Sequence, residues 1–323
     1  MNINDYKLVF LAGGQGCQYP GMLHELYQNV PKFKQLIDYY DQIFKRIMGE
    51  SLAAVLYRSP IDCYAEFSDI SYTHPAIFLT QYCLATLLID KGLYPACLLG
   101  YSLGELVTST LAGALTVEDA ATIVAFQASV VKQKCQTGGM LVILSSVAMM
   151  DDYPQLFEDC FLATINFPGH FVVSGTIEAI NNLRSQLIPL SITSQILPIH
   201  YPFHSPLIAD IKENYQGFMD SVRFFTPGCS IISSTYVNEV SRVDPDFFWN
   251  VASLPVRFEE TIQLLERQGP CLYLDLSPNG MLANFLQYLL KNVETESVIL
   301  PAMSMHGGNV GKLNELYNVR LQS

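Results

Sequence analysis

The 323-residue chain has no uncharged apolar run of the ~18 residues that a membrane-crossing helix requires. It has no C-x-x-C, and its eight cysteines, at 17, 63, 83, 97, 135, 160, 229 and 271, stand singly. Several fall in apolar segments, such as Cys83 and Cys97. They are expected to be small buried thiols in a reducing cytoplasm, not disulfides or a zinc site. Positive charge is scarce: 18 Lys+Arg against 30 Asp+Glu give a net charge of −12, which argues against nucleic acid as a partner. No low-complexity tract or internal repeat is visible. Met1 to Val9 carries Asp5 and Lys7 and does not have the layout of a secretory signal.

Hydrophobic residues make up 50% of the chain, enough for a sizeable core. The length suits one large domain with an insertion, or two domains. The most informative stretch is Leu99-Gly100-Tyr101-Ser102-Leu103-Gly104-Glu105, a G-x-S-x-G. Tyr94 to Leu99 suits a short buried strand, and Glu105 to Ala112 suits a helix. A strand turning sharply into a helix at a serine is a nucleophile elbow. Helix-end amides at such a turn can support a negative tetrahedral oxygen. The alternative is an ordinary strand-to-helix turn capped by a serine.

Lys7 to Leu11 reads as a buried strand running into Gly13-Gly14-Gln15-Gly16. No Lys-Ser/Thr pair follows and the spacing is not G-x-G-x-x-G, so this is not a phosphate-binding loop of either common kind. It is either a flexible turn or a loop that brings the Gln15 backbone to the serine. His24 to Met48 reads as helical and broken at Pro31. Thr73-His74-Pro75 reads as the start of a long buried helix, Ala76 to Lys91, stopped by Gly92. Val117 to Lys134 is a further helix, capped by Thr116, and it carries Gln127.

After Gly139 the pattern changes. Met140 to Leu144, Leu162 to Asn166, Phe171 to Gly175 and Ser194 to Pro198 read as strands. The middle two form a hairpin turning at residues 167 to 170, and helices fall at Met149 to Glu158 and Thr176 to Leu187. This βαββαβ order predicts a small ferredoxin-like subdomain over 138–200. Residues 1–137 and 201–323 alternate strands with helices, which predicts an α/β domain with a parallel sheet.

A serine nucleophile needs a base. Of the six histidines, His204 is the best placed, on a proline-flanked loop just after the small subdomain. His24 and His306 lie near the chain ends, and His170 lies in a hairpin turn. Pro202 favours an extended chain that points His200 away from the site used by His204. No acidic residue between Ser102 and His204 stands where a third triad member is expected. A backbone carbonyl is then the expected orienter of the histidine.

These motifs resemble those of malonyl-CoA:acyl-carrier-protein transacylases. Gly14-Gln15-Gly16-Cys17-Gln18 is similar to their G-Q-G-S-Q, Gly100 to Glu105 to their G-H-S-L-G-E, and Phe203-His204-Ser205 to their F-H-S. Val256 and Arg257, with Pro255 and Phe258, are similar to their P-V-R-F. Asn166, Pro168-Gly169 and Val173-Ser174-Gly175 are similar to N-x-P-G and V-x-S-G. The likeness runs in order along almost the whole chain.

The resemblance implies an α/β-hydrolase-like large domain with an inserted ferredoxin-like subdomain. It implies Ser102 as acyl nucleophile, His204 as base, and the Gln15 and Leu103 backbone amides as oxyanion hole. It implies a carbonyl near Val251 holding the His204 tautomer, and Asn166 with Tyr201 to Phe203 lining an acyl pocket. It implies an acyl carrier protein as partner, a thioester substrate on phosphopantetheine or CoA, no metal or other cofactor, and a monomer.

Four positions depart from the family pattern. The family's malonyl-binding arginine is here Gln127. The elbow histidine is Tyr101. His74 replaces a glutamine, and Ala12-Gly13 replaces an aromatic-proline pair. An arginine grips a carboxylate bidentately. Removing one member of such a pair costs ~2–5 kcal/mol, on the order of 10²- to 10³-fold or more against malonyl. The arginine-to-glutamine change resembles the trans-acting acyl hydrolases of polyketide assembly lines, which remove stalled acyl groups from carrier proteins. Transfer of uncharged acyl groups, ordinary malonyl loading and a non-catalytic carrier-binding role are the alternatives.

Overall fold

The computed structural model describes residues 6–58 and 61–321. The first five residues of the Met1 to Val9 stretch therefore lie outside the described residues. In chain order the strands are β1 (Lys7–Ala12), β2 (Cys97–Gly100), β3 (Gly138–Ile143), β4 (Cys160–Phe167), β5 (His170–Thr176), β6 (Ser194–Ile196), β7 (Ser230–Ser233), β8 (Asn238–Val240), β9 (Val256–Arg257), β10 (Cys271–Asp275) and β11 (Val298–Pro301).

They form two sheets. The larger has the order β11-β10-β1-β2-β7-β8, parallel except for the antiparallel edge strand β8. Its central strands β1, β2 and β10 are short apolar runs, buried on both faces as a parallel sheet between helices requires. β1 and β2 are paired from Val9↔Cys97 to Ala12↔Gly100. The glycine-rich loop and the elbow therefore leave neighbouring strands at the same end of the sheet. That is where an open α/β sheet gathers its functional loops.

The smaller sheet has the order β6-β3-β5-β4-β9. Its first four strands are antiparallel and follow the ferredoxin-like arrangement. β9 comes from beyond the His204 loop and pairs parallel with β4, at Thr164↔Val256 and Ile165↔Arg257. The sequence around Pro255 gives no strand signal, because two residues are too few for a period. This pairing ties the segment after Leu254 to the small sheet.

The break at Pro31 is present, with helices His24–Asn29 and Pro31–Met48. The long helix differs from expectation. It spans Ile70–Asp90 and contains Pro75, instead of starting after it. Asp69 caps it by accepting from the Ser71 amide, and Lys132 sits 2.9 Å from the Asp69 carboxylate. The cap fixes the start upstream, and Pro75 leaves one interior bond unmade. The expected helix over Met149 to Glu158 is a short turn, Met149–Asp152, followed by a 3₁₀ turn at Pro154–Leu156. No helix among the described residues is long and apolar enough to cross a membrane.

Candidate active site

Ser102 stands between β2 and the helix Gly104–Leu111, with φ of 53°. A left-handed conformation in a non-glycine residue costs roughly 1–3 kcal/mol and needs a surrounding structure that enforces it. Close backbone contacts enforce it here. A methyl group at Gly104 would lie 1.9 Å from the Ala12 carbonyl oxygen, so only glycine lets the helix start against β1. A methyl group at Gly14 would lie 2.8 Å from Tyr101 O and 3.0 Å from Ser102 Cβ. The Gly14-Gln15 loop is thus packed directly on the elbow. Among the described residues, the Gln15 and Leu103 backbone amides donate to no protein group. Two free N–H groups flanking a serine form a site suited to an oxyanion.

His204 also has a left-handed backbone, φ 58°. Its Nε2 lies 2.8 Å from Ser102 Oγ. Its Nδ1 lies 2.8 Å from the Leu254 carbonyl oxygen, which fixes the tautomer with the proton on Nδ1 and the lone pair facing the serine. The orienting carbonyl thus belongs to Leu254, three residues beyond the expected Val251. Val251 is still inside the helix Pro245–Ser253, whereas Leu254 follows its end. Burial lowers the His204 pKa to about 4, and the hydrogen bond to Leu254 opposes that fall. The imidazole is neutral at neutral pH and able to take a proton.

Gln15, His74, Tyr101, Ser102, Leu103, Gln127, Phe203, His204 and Val251 line one cavity of about 70 Å³. A single buried water needs roughly 10–15 Å³ on this measure, so the space admits a short acyl chain. The remaining wall is mostly apolar and includes Leu106, Ile123, Met140, Val172, Leu197 and Phe248. Among the described residues, neither lysine nor arginine lines it. Gln127 is buried, and its side-chain amide makes no hydrogen bond among the described residues. His74 Nε2 lies 3.2 Å from Gln15 Oε1, so the imidazole steadies the oxyanion loop. Burial lowers its pKa to about 3.

Two expectations need correction. Asn166 does not line the cavity. Its Oδ1 accepts from the Tyr101 hydroxyl at 2.8 Å and its Nδ2 lies 3.1 Å from His170 Nδ1, so it positions Tyr101. Tyr201 does not reach the cavity either, leaving Phe203 as the contributor from that stretch. Sequence reasoning missed Thr164, Met140 and Val172, which the small sheet presents to the cavity. Their only signal was strand alternation. It also missed Glu105, whose Oε1 accepts from Ser233 Oγ at 2.9 Å and from Thr235 N and Oγ1 at 3.2 Å. Burial raises the Glu105 pKa to about 7, against those hydrogen bonds.

The family profile described as "Acyl transferase domain" matches residues 9–319. The chain belongs to the acyl transferase domain family. It is 36% identical over 297 residues to the "Polyketide biosynthesis acyltransferase homolog PksD" of Bacillus subtilis (strain 168), covering 91% of this chain and 92% of that protein. It is 34% identical over 291 residues to the homolog BaeD of Bacillus velezensis, covering 90% of each. Among solved structures it is similar to a loading acyltransferase from the avermectin modular polyketide synthase. The TM-score is 0.87 and the identity 27%, covering 97% of this chain and 99% of that one. The malonyl CoA-acyl carrier protein transacylase from Coxiella burnetii superimposes with a TM-score of 0.82 at 20% identity, covering 100% and 99%. At that identity the likeness establishes the fold. This acyl transferase domain is thus an acyltransferase-type enzyme.

Proposed function

We propose that this acyl transferase domain is a trans-acting hydrolase that removes uncharged acyl groups from acyl carrier proteins of a polyketide synthase, in the cytoplasm. The observation that carries the reading is Gln127 in a cavity lined, among the described residues, by no lysine or arginine. Both cavity histidines are held neutral by burial. A malonyl carboxylate would enter without a cation, and a buried charge without a partner is strongly disfavoured.

Ser102 Oγ attacks the thioester carbonyl while its proton passes to His204 Nε2. The oxyanion accepts from the Gln15 and Leu103 N–H groups. The tetrahedral adduct collapses, the C–S bond breaks, and the pantetheine thiolate takes the proton from His204. Water then attacks the acyl-serine with His204 again as base, releasing the acid and regenerating Ser102. The loading acyltransferase likeness favours a second reading, in which a carrier thiol replaces that water.

The test is mass spectrometry of a short-chain acyl carrier protein after incubation with the enzyme and excess holo-carrier. Free acid and holo-carrier are expected. Quantitative movement of the acyl group to the second carrier would establish transfer and defeat the hydrolase reading. Gln127→Arg should raise the malonyl-serine signal in intact-mass spectra. No gain would mean that position 127 does not face the acyl group.

A further inference from the structure

The loop that carries Gln15 has a weakness built into its sequence. A methyl group at Gly13 would meet Ser277 Oγ at 2.3 Å, and one at Gly14 the Tyr101 carbonyl oxygen at 2.8 Å, so glycine suits both positions. Two consecutive glycines give the backbone before Gln15 wide rotational freedom. The Gln15 N–H donates to no protein group among the described residues, so it does not hold its own direction. An oxyanion hole is effective only when its donors are aimed before the charge develops.

Gln81 supplies the missing constraint. It lies inside the helix Ile70–Asp90 and is fully buried. Its Oε1 accepts from the Gly13 N–H at 2.7 Å, and its Nε2 donates to the Gly13 carbonyl oxygen at 2.8 Å. Nε2 also donates to the Ile77 carbonyl oxygen, one turn back, at 3.3 Å, which ties the side chain to its own helix. The two Gly13 groups belong to the two peptide planes that flank its Cα, so one side chain fixes both φ and ψ there. The next plane carries the Gln15 N–H. Its carbonyl, Gly14 O, accepts from Cys17 N at 3.4 Å. His74 stands two turns earlier on the same helix, against the Gln15 side chain.

We propose that Gln81 is a positioning residue for acylation, setting the direction of the Gln15 N–H. It does not line the cavity, so it acts through the loop and not on the substrate. This rests on the proposed acylation of Ser102 with the Gln15 amide as an oxyanion donor.

Gln81→Met and Gln81→Leu keep a side chain of similar size and remove both bonds to Gly13. In single-turnover acylation of Ser102 by butyryl pantetheine, the limiting rate should fall about 10- to 10²-fold, less than the loss expected from deleting a donor outright. The half-saturating concentration should stay within about twofold, because the oxyanion exists only beyond the ground state. A trifluoromethyl ketone analogue of the thioester reports on the oxyanion directly. Ser102 Oγ adds to its carbonyl carbon, the serine proton passes to His204, the carbonyl oxygen becomes the oxyanion, and nothing leaves. The corresponding secondary alcohol fills the same space and forms no adduct. The ratio of ketone to alcohol affinity should fall in each variant by the same factor as the rate. Loosened packing would weaken both ligands and cancel in that ratio. In the wild type, the Gly13 amide hydrogen should exchange with solvent at least about 10²-fold more slowly than that of Gln15. Equal exchange, or a variant that keeps the wild-type ketone to alcohol ratio, would overturn the role of Gln81 and leave the acyl-serine mechanism standing. A wild type that binds the ketone no more tightly than the alcohol would overturn the oxyanion hole of the proposed function, and this inference with it.

Discussion

Ser102 and His204 share one hydrogen bond and the same unusual backbone conformation, yet they are held in opposite ways. The serine is fixed by its neighbours in sequence. β2 leads in, the helix Gly104–Leu111 leads out, and Gly104 and Gly14 let Ala12 and the glycine-rich loop close over the turn. The histidine is fixed from afar. Its amide donates to Ala252 O at 2.9 Å and its Nδ1 to Leu254 O, while the Ser174 hydroxyl of the small sheet donates to the Phe203 carbonyl. A nucleophile can be carried by a local motif, but its base has to be delivered by the tertiary structure.

The largest effect should come from breaking either half chemically. Ser102→Ala and His204→Ala are each expected to lower turnover by at least about 10⁴-fold, and the double variant should be little worse, because such groups act as a unit. Acyl-carrier hydrolysis assayed at matched folded concentration checks this. Near-normal rates in Ser102→Ala would defeat the mechanism.

The next comparison is mechanical. Gly104→Ala puts a methyl group into the Ala12 carbonyl, where backbone and not a flexible side chain must give way. Activity should fall by about 10²-fold or more, with stability reduced by roughly 1–3 kcal/mol. Ser174→Ala removes one long-range strut and leaves the Phe203 carbonyl without that donor. Its stability cost is similar, about 1–3 kcal/mol, but the rate should fall only about tenfold, because the bonds to Ala252 and Leu254 remain. Denaturant melts and kcat for the two variants would show whether the elbow is as brittle, and the loop as redundant, as this comparison says. Equal rate losses would remove the distinction.

The same asymmetry decides what was legible in the sequence. The elbow, the hairpin turn at 167–170 and the cap at Thr116 all rest on residues within a few positions of one another, and each is where its motif put it. The His204 orienter is 50 residues from the ring it holds, and no local pattern distinguishes the Leu254 carbonyl from that of Val251. β9 is a strand only because β4 offers it an edge. Asn166 looked like a pocket residue because its motif places it nearby. That its amide is occupied by Tyr101 and His170 depends on a side chain that this chain does not share with the family it resembles.

Glu105 is where the two halves meet, and it gives the smallest expected change in rate. Its carboxyl draws the turn at Ser233 to Thr235 against the elbow helix, and the Ser234 carbonyl in that turn accepts from the Arg257 amide, just beyond Leu254. Glu105→Gln keeps an acceptor for the Ser233 and Thr235 donors, so kcat at neutral pH should fall by about threefold or less, given that a typical neutral hydrogen bond contributes about 1 kcal/mol. Its signature lies in stability against pH. The folded pKa is raised from 4.5 to about 7, so the folded state binds this proton more tightly than the unfolded chain does. The stabilisation is complete below pH 4.5 and is lost as pH rises through 7, on the order of 3 kcal/mol in all. His204 runs the other way. Its folded pKa of about 4 lies below its ordinary 6.5, so its contribution is present above 6.5 and lost as pH falls towards 4. That contribution is common to wild type and variant and cancels in their difference. The stability gap between wild type and Glu105→Gln should therefore move against the wild type on going from pH 5 to pH 8. If the two proteins respond to pH in parallel, the carboxyl does not titrate there, and the link between the local and the distant half of the site lies elsewhere.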